Sequence, residues 1–340
     1  MSPYQMSLDS LKNNPKTWLI TGVAGFIGSN ILETLLKYNQ KVIGLDNLLT
    51  GHLSNLQDVK SVVTEDSWKN FLFVNGDICD IDTCHDVTRD VDFVLHQAAL
   101  GSVPRSIEDP LLTNKINIEG FLNILTASKN SKVTSFTYAA SSSTYGDHEA
   151  LPKIENQIGK PLSPYAVSKY VNELYAHTFS VNYDFHSIGL RYFNVFGKRQ
   201  DPNGVYAAVI PKWISAMVAG EEIFINGDGS TSRDFCYIEN AVQANILAAT
   251  YSQNIKNDVF NIAVGQITSL NDLFILLKES LKQSGLDYTK NPIYRDFRSG
   301  DVLHSQASIE KAKNEFNFYP THNIKEGLAE AMSWFIKNSR

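Results

Sequence analysis

Two hydrophobic periods alternate along the first part of this chain. Trp18-Leu19-Ile20 is an apolar run ending in Thr21-Gly22-Val23-Ala24-Gly25-Phe26-Ile27-Gly28, and the following Ser29–Leu36 carries apolar residues at helical spacing. A buried strand therefore meets a glycine-rich turn, and the turn opens a helix. Lys41–Asp46 reads as a second strand, Phe71–Val74 as a third, Val91–Leu95 as a fourth, Phe136–Ala140 as a fifth and Ile188–Tyr192 as a sixth. Such alternation predicts a parallel sheet covered on both faces. After about residue 191, Pro202, Pro211 and several glycines cut the chain into shorter elements, which predicts a smaller, irregular lobe. Val259–Val264 is a further strand, and the helical pattern at Ile238–Ala249 is expected to return to the first lobe. Ile324–Lys337 predicts an amphipathic structural helix. No internal repeat or low-complexity segment interrupts this plan.

The strand–turn–helix junction has the architecture of a dinucleotide site. Gly22 permits the tight turn, Gly25 lets a pyrophosphate approach the backbone, and Gly28 lets helix and strand pack closely. The helix N-terminus offers free N–H groups and the positive end of its dipole. The spacing is GxxGxxG, and three glycines alone would equally serve a structural turn. Asp46 changes the balance: it ends the second strand 18 residues past Gly28, close to the offset of an acid that binds the adenosine ribose. A carboxylate there repels a 2′-phosphate, and Asn47 offers that phosphate no positive charge, so the cofactor reads as NAD rather than NADP. Asp77, after the third strand, could meet the adenine, cap the next helix, or do both. The fourth strand empties into His96-Gln97-Ala98-Ala99-Leu100-Gly101-Ser102, small residues suited to close approach by a cofactor; His96 itself reads as a packed strand-end residue.

Composition narrows the partners. A chain of 340 residues, 43% hydrophobic and 19% charged, is that of a soluble globular protein with room for two lobes. A net charge of −6 with no long basic run argues against nucleic acid. Cys79, Cys84 and Cys236 are sparse and odd in number, as expected of a reducing cytoplasm, and no His/Cys cluster has metal-ligand spacing. Met1–Lys16 lacks the apolar stretch of a signal peptide, and no run reaches the length of a membrane span.

The second informative stretch is Ser163-Pro164-Tyr165-Ala166-Val167-Ser168-Lys169. Ser163 suits an N-cap and Pro164 the first helical position, so Tyr165 and Lys169, four apart, share one helical face. A phenol is a poor base at neutral pH; lowering its pKa from about 10 to about 7 takes roughly 4 kcal/mol. A lysine ammonium and a positively charged nicotinamide ring are suitable sources. The pair follows the fifth strand and the cluster Ser141-Ser142-Ser143-Thr144-Tyr145-Gly146.

TGVAGFIG, Asp46, the SSSTYG strand end, Tyr165-x-x-x-Lys169 and Arg191-Tyr192-Phe193-Asn194 together resemble an extended short-chain dehydrogenase/reductase. Within that superfamily the chain most resembles the bacterial UDP-N-acetylhexosamine 4-epimerases of surface-polysaccharide synthesis, from about Pro15 to near the C-terminus. The resemblance implies an α/β fold: a Rossmann-type doubly wound parallel sheet, residues 1–190 with return segments about 235–264, binding NAD. A smaller mixed α/β lobe, 191–340 and interleaved with the first, would bind a UDP-sugar.

It also implies roles. Ser141 would bond the sugar 4-OH, with Ser142 and Ser143 nearby and the three left unranked. Tyr165 would be the base and Lys169 its electrostatic partner. Phe26, Ile27, Asn47, Gly51, Asp77, Ile78, Gln97, Ala98, Ala99 and Tyr192 would join the cofactor site. Gly101, Ser102 and Val209 would border the substrate. Asn194, Arg233 and Arg298 would hold the diphosphate, Asp301 the uridine ribose, and Ile225 and Asn226 the uracil. Two arginines can clamp a diphosphate through charge-assisted bonds. Ser305, four past Asp301, would leave room for the sugar's N-acetyl group. The expected reaction passes through a 4-keto sugar and returns NAD unchanged. A homodimer would form through helices around Leu111–Ser128 and Pro164–Val181.

Other readings stay open. Dehydratases of this superfamily need acids just after the catalytic hydroxyl, and decarboxylases usually a Glu; Ser142, Ser143 and Thr144 stand there instead. Close relatives use UDP-N-acetylhexosaminuronic acids, whose carboxylate Arg105 could meet, or Arg105 could be a structural loop residue. A non-catalytic NAD-responsive regulator is the alternative from another class, and the intact Ser141, Tyr165 and Lys169 count against it.

Overall fold

The computed structural model of the protein describes residues 1–202, 207–251, 257–297 and 302–339. Its strands are β1 (Thr17–Thr21), β2 (Lys41–Asp46), β3 (Phe71–Asn75), β4 (Phe93–His96), β5 (Ser135–Ser141), β6 (Ser187–Tyr192), β7 (Val195–Phe196), β8 (Phe224–Asn226), β9 (Ser232–Arg233), β10 (Cys236–Tyr237), β11 (Asn257–Ile262), β12 (Thr268–Ser269), β13 (Ile293–Arg295) and β14 (His304–Ser305). Its helices are α1 (Pro3–Asn13), α2 (Phe26–Lys37), α3 (Leu53–Val62), α4 (Glu65–Trp68), α5 (Ile81–Val87), α6 (Val103–Glu108), α7 (Pro110–Asn114), α8 (Phe121–Asn130), α9 (Pro164–Tyr183), α10 (Val209–Val218), α11 (Ile238–Tyr251), α12 (Leu270–Gln283), α13 (Glu310–Phe316) and α14 (Ile324–Asn338). A π turn, Lys115–Gly120, joins α7 to α8.

Among the described residues the main sheet has seven strands in the order β11-β6-β5-β4-β1-β2-β3. Every pairing in it is parallel. The winding reverses at β1, and the crevice beyond the carboxyl ends of β1 and β4 is where a doubly wound sheet binds its ligand. All of β4 and β5 is buried, as expected for central strands covered on both faces. The edge strand β3 is the exception, with Leu72 59% exposed.

Helix α2 packs Ile31, Leu32, Leu35 and Leu36, each fully buried, into the main core. Each such side chain contributes roughly 1.5–3 kcal/mol of burial energy. Helix α1 is an addition to the predicted plan. Ser2 caps it by accepting from the Gln5 N–H at 3.2 Å, and Leu8 and Leu11 bury against the core. The seventh strand runs Asn257–Ile262 rather than Val259–Val264, because the Val264 N–H is taken by the Asp234 carboxylate at 3.0 Å, which turns the chain off the sheet. Three small sheets, β12-β9-β14, β13-β8 and β10-β7, lie in the second part of the chain. Among the described residues no helix is long and apolar enough to cross a membrane.

Candidate active site

A cavity of about 510 Å³ opens at the carboxyl ends of β1, β2, β4 and β5. All the predicted cofactor positions line it: Gly22, Gly25, Phe26, Ile27, Gly28, Asp46, Asn47, Gly51, Asp77, Ile78, Gln97, Ala98, Ala99, Tyr165, Lys169 and Tyr192. Gly22 has φ +70°, and a Cβ on it would lie 2.8 Å from the Ala98 nitrogen. On Gly28 a Cβ would lie 2.2 Å from the Gly22 carbonyl oxygen. Gly25 is the N-cap of α2 and brings no side chain to that helix end. Bare backbone and free N–H groups thus form a cradle for a diphosphate.

Asp46 is poised beside the cradle. Its Oδ2 accepts from the Ala24 N–H and its Oδ1 from the Leu48 N–H, both at 2.9 Å. Burial pushes its carboxyl above the usual range, and the two N–H bonds oppose that rise. Each oxygen keeps a lone pair for ribose hydroxyls. Asp77 accepts from the Cys79 N–H at 2.8 Å and from the Asn47 amide at 3.0 Å. The helix-cap reading of Asp77 is corrected: Asp80 caps α5, accepting from the Asp82 N–H at 3.2 Å. His96 is packed as expected, bonded to Thr21 at 2.8 Å and kept neutral by burial, with its pKa down at about 3.

Beneath the cavity lie the serines and the Tyr–Lys pair. Ser163 caps α9 by accepting from the Ala166 N–H at 3.1 Å, with Pro164 opening the helix. Ser141, the last residue of β5, accepts from the Ser143 N–H at 3.1 Å and from the Ser143 hydroxyl at 2.9 Å. Its own hydrogen bond to Tyr165 favours the phenolate. The three serines therefore differ: Ser141 reaches the phenol, Ser143 supports Ser141, and Ser142 lines the cavity. Burial nevertheless pushes the Tyr165 phenol above its ordinary value. Lys169 is buried, donates to the Ala139 carbonyl at 2.8 Å, and has its pKa lowered by burial to about 8.

The substrate positions divide. Gly101, Ser142 and Asn194 line the cavity. Ser102, Ser143, Val209, Ile225, Asn226, Arg233 and Ser305 are not among its lining residues. Arg233 and Ser305, far apart in sequence, are register partners in the parallel pair β9–β14. The Arg233 guanidinium donates to the Ser232 and Leu303 carbonyls at 2.9 and 3.1 Å. The Asp234 carboxylate ties this pair to the sheet end, accepting from Val264, Gly265 and Ala307 N–H groups at 3.0, 3.0 and 3.2 Å. Burial pushes that carboxyl up to about 6. The Ile225 side chain is fully buried in the main core, so only its backbone can face a ligand. Arg298 and Asp301 lie outside the described residues.

Some site residues carried no sequence signal. Ile116 lines the cavity because the π turn rotates it there; the adjoining Asn117 bonds Leu100 on both its N–H and C=O and reaches Ser168. Gln200 lines it because its neighbours anchor the segment. Arg199 donates to Glu33 at 2.6 Å and to Asp58 at 2.7 Å, and Lys198 to Glu33 at 2.9 Å. Burial works against the Glu33 charge, but Lys198, Lys37 and Arg199 outweigh it and hold that carboxyl at about 2.

Known proteins agree with this geometry. The sequence model of the NAD dependent epimerase/dehydratase family matches residues 18–263. A UDP-N-acetylglucosamine 4-epimerase from Methanobrevibacter ruminantium M1, solved with UDP-N-acetylmuramic acid, is 38% identical, with 95% of this chain and 99% of that one covered and a TM-score of 0.86. The UDP-glucose 4-epimerase of Thermotoga maritima, solved with UDP-glucose, is 35% identical over 95% and 100% of the two chains, also with a TM-score of 0.86. A UDP-glucuronic acid 4-epimerase from Bacillus cereus, solved with UDP-glucuronic acid and NAD, is 30% identical over 95% and 100%, with a TM-score of 0.83. With a family match across most of its length and a cavity built for a dinucleotide, the chain belongs to the NAD dependent epimerase/dehydratase family, and NAD is its cofactor.

Proposed function

We propose that this chain is a 4-epimerase interconverting UDP-GlcNAc and UDP-GalNAc. The observation that carries the reading is the Ser141–Tyr165–Lys169 group under the cofactor cavity, with Ser142, Ser143 and Thr144 following Ser141 where an eliminating enzyme needs an acid. Bound NAD supplies a hydride acceptor and a positive nicotinamide ring. Tyr165 takes the proton of the sugar 4-OH and returns it to the inverted oxygen, while Ser141 steadies both through its hydroxyl. Lys169 favours the phenolate by its charge, which a pKa of about 8 keeps largely present at neutral pH. Asn194, Arg233 and Arg298 would hold the diphosphate, Asp301 the uridine ribose, and Asn226 with the Ile225 backbone the uracil. The cofactor part would comprise residues 1–190 and about 235–264, the remainder forming the sugar-nucleotide lobe.

Two features favour an N-acetylated sugar with a neutral C6. Ser305 is small and stands beside Arg233 in the strand pair, where a larger side chain would fill the space by the sugar's 2-substituent. Among the described residues lining the cavity, Lys169 is the one Lys or Arg, and its ammonium is turned to the Ala139 carbonyl. Arg105 donates its backbone N–H to Ser102 and is not in that lining.

The test is Ser305→Tyr. A whole ring cannot be absorbed in a close-packed site without strain. The variant should lose UDP-GlcNAc epimerisation and spare any activity on UDP-glucose. The quantity measured is the ratio of kcat/KM for the two sugars in both proteins, with UDP-N-acetylglucosaminuronic acid as a third substrate. Equal loss on both neutral sugars would defeat the gate, and preference of the native protein for the acidic sugar would defeat the C6 assignment.

The same reading includes a homodimer. Val167, Leu174 and Val181 are exposed at 45, 47 and 68%, seven residues apart on α9, and Leu111 on α7 is 82% exposed. Such a stripe suits a helix face that a second copy covers. Sedimentation should give twice the 38.0 kDa chain mass, and Leu174→Glu should yield monomer. A monomeric native protein would refute it.

A further inference from the structure

Among the described residues, Tyr165 and Tyr192 line the cofactor cavity, and Tyr192 has its one proton committed to Gln97. Tyr192 is locked in a closed ring of hydrogen bonds with Gln97 and Asn245. Asn245 is fully buried on α11. Its Nδ2 donates to the Ala241 carbonyl and to the Tyr192 oxygen, both at 2.7 Å. Those two donors fix the amide, since the flipped amide would set its oxygen against the Ala241 oxygen. The Oδ1 of Asn245 then accepts from Gln97 Nε2 at 2.9 Å, and Gln97 Oε1 accepts the single Tyr192 proton at 3.1 Å.

We infer that Asn245 is a positioning residue for the cofactor site, fixing the direction of this ring so that Gln97 and Tyr192 meet NAD with preset donors and acceptors. Every proton in the ring is assigned. Tyr192 has none left to give, so toward the cavity it can only accept. Gln97 keeps one N–H and one lone pair for a ligand. Asn245 touches neither cofactor cavity nor substrate lining itself and acts through its two neighbours. The inference rests on the cofactor assignment and is independent of which sugar is used.

Asn245→Asp tests it. A carboxylate has no N–H for Ala241 or Tyr192, so the Tyr192 proton turns toward it and the Gln97 Oε1 loses that proton, leaving Gln97 held only by its own N–H on the carboxylate. Wild type, Asn245→Asp, Tyr192→Phe and the double variant would be depleted of NAD and titrated with NAD by calorimetry, with thermal melts alongside. Losing a fixed polar network should weaken NAD binding by about tenfold in Asn245→Asp. In the Tyr192→Phe background the same substitution should cost less, because the part of its effect that passes through the Tyr192 hydroxyl is already gone and only the Gln97 route remains. Asn245→Ala, which buries no charge, should show a smaller loss with the same non-additivity and serves if the aspartate variant fails to fold. Unchanged NAD affinity in Asn245→Asp or Asn245→Ala, or a cost that persists in full without the Tyr192 hydroxyl, would overturn the inference. Wild-type protein that does not bind NAD would overturn the cofactor assignment and the inference with it.

Discussion

Tyr165→Phe should leave NAD in place and reduce epimerase turnover by at least about a hundredfold, the range expected for loss of a positioned acid–base group. The substitution keeps the ring that lines the cavity and removes only the oxygen that Ser141 bonds. In the protein alone, burial holds this phenol protonated and leaves Lys169 at about 8. The phenol becomes a base once positive charge beside it, from Lys169 and the bound cofactor, favours loss of its own proton. Turnover is measured by separating the two 4-epimers, and cofactor content by extraction. A phenylalanine variant that turns over at a near-native rate would remove Tyr165 from the mechanism.

Gly28→Ala should weaken the binding of NAD. The new methyl would sit 2.2 Å from the Gly22 carbonyl oxygen and 2.9 Å from both the Gly22 carbonyl carbon and Val23 Cα, all backbone atoms that cannot swing aside. Helix α2 must back away from β1, and the cradle between them widens. Overpacking of this kind costs about 1–3 kcal/mol, so affinity for NAD should fall by roughly ten- to a hundredfold. Titration with NAD measures it, and a thermal melt should register the same strain. Native-like affinity would mean that the turn does not depend on contact between Gly28 and Gly22.

What the sequence made legible follows from the range of the forces involved. The turn at Gly22–Gly28, the acid at Asp46 and the Ser163–Pro164 helix start are local, and periodicity and capping chemistry reveal them directly. The fifth strand runs one residue past its predicted end at Ala140, to Ser141, because pairing of Ser141 with Tyr192 extends it. Helix α1 is hidden by polar composition, its burial resting on Leu8 and Leu11 with Tyr4 packed beside them. The π turn that aims Ile116 at the cavity has no periodic signature within a longer helical pattern. Gln200 and Asn245 depend on side chains more than a hundred positions away, Glu33 in one case and Gln97 in the other. Neither relation leaves a mark in any short window of sequence. The meeting of Arg233 with Ser305 is likewise a product of strand pairing between distant segments.

Strand β11 bears on how the molecule is made. It pairs with β6 along six positions, from Asn257 beside Ser187 to Ile262 beside Tyr192, yet it is synthesised only after α10, β8, β9, β10 and α11. Until residue 262 leaves the ribosome, β6 presents a bare sheet edge whose first five residues are buried in the finished protein. Such edges invite pairing with other chains. The nascent chain therefore carries an unpaired strand edge through the synthesis of much of its second part. A fragment ending at α11 would keep the glycine turn, Tyr165 and Lys169 but retain that open edge, so the cofactor-binding sheet is complete only in a piece that reaches residue 262.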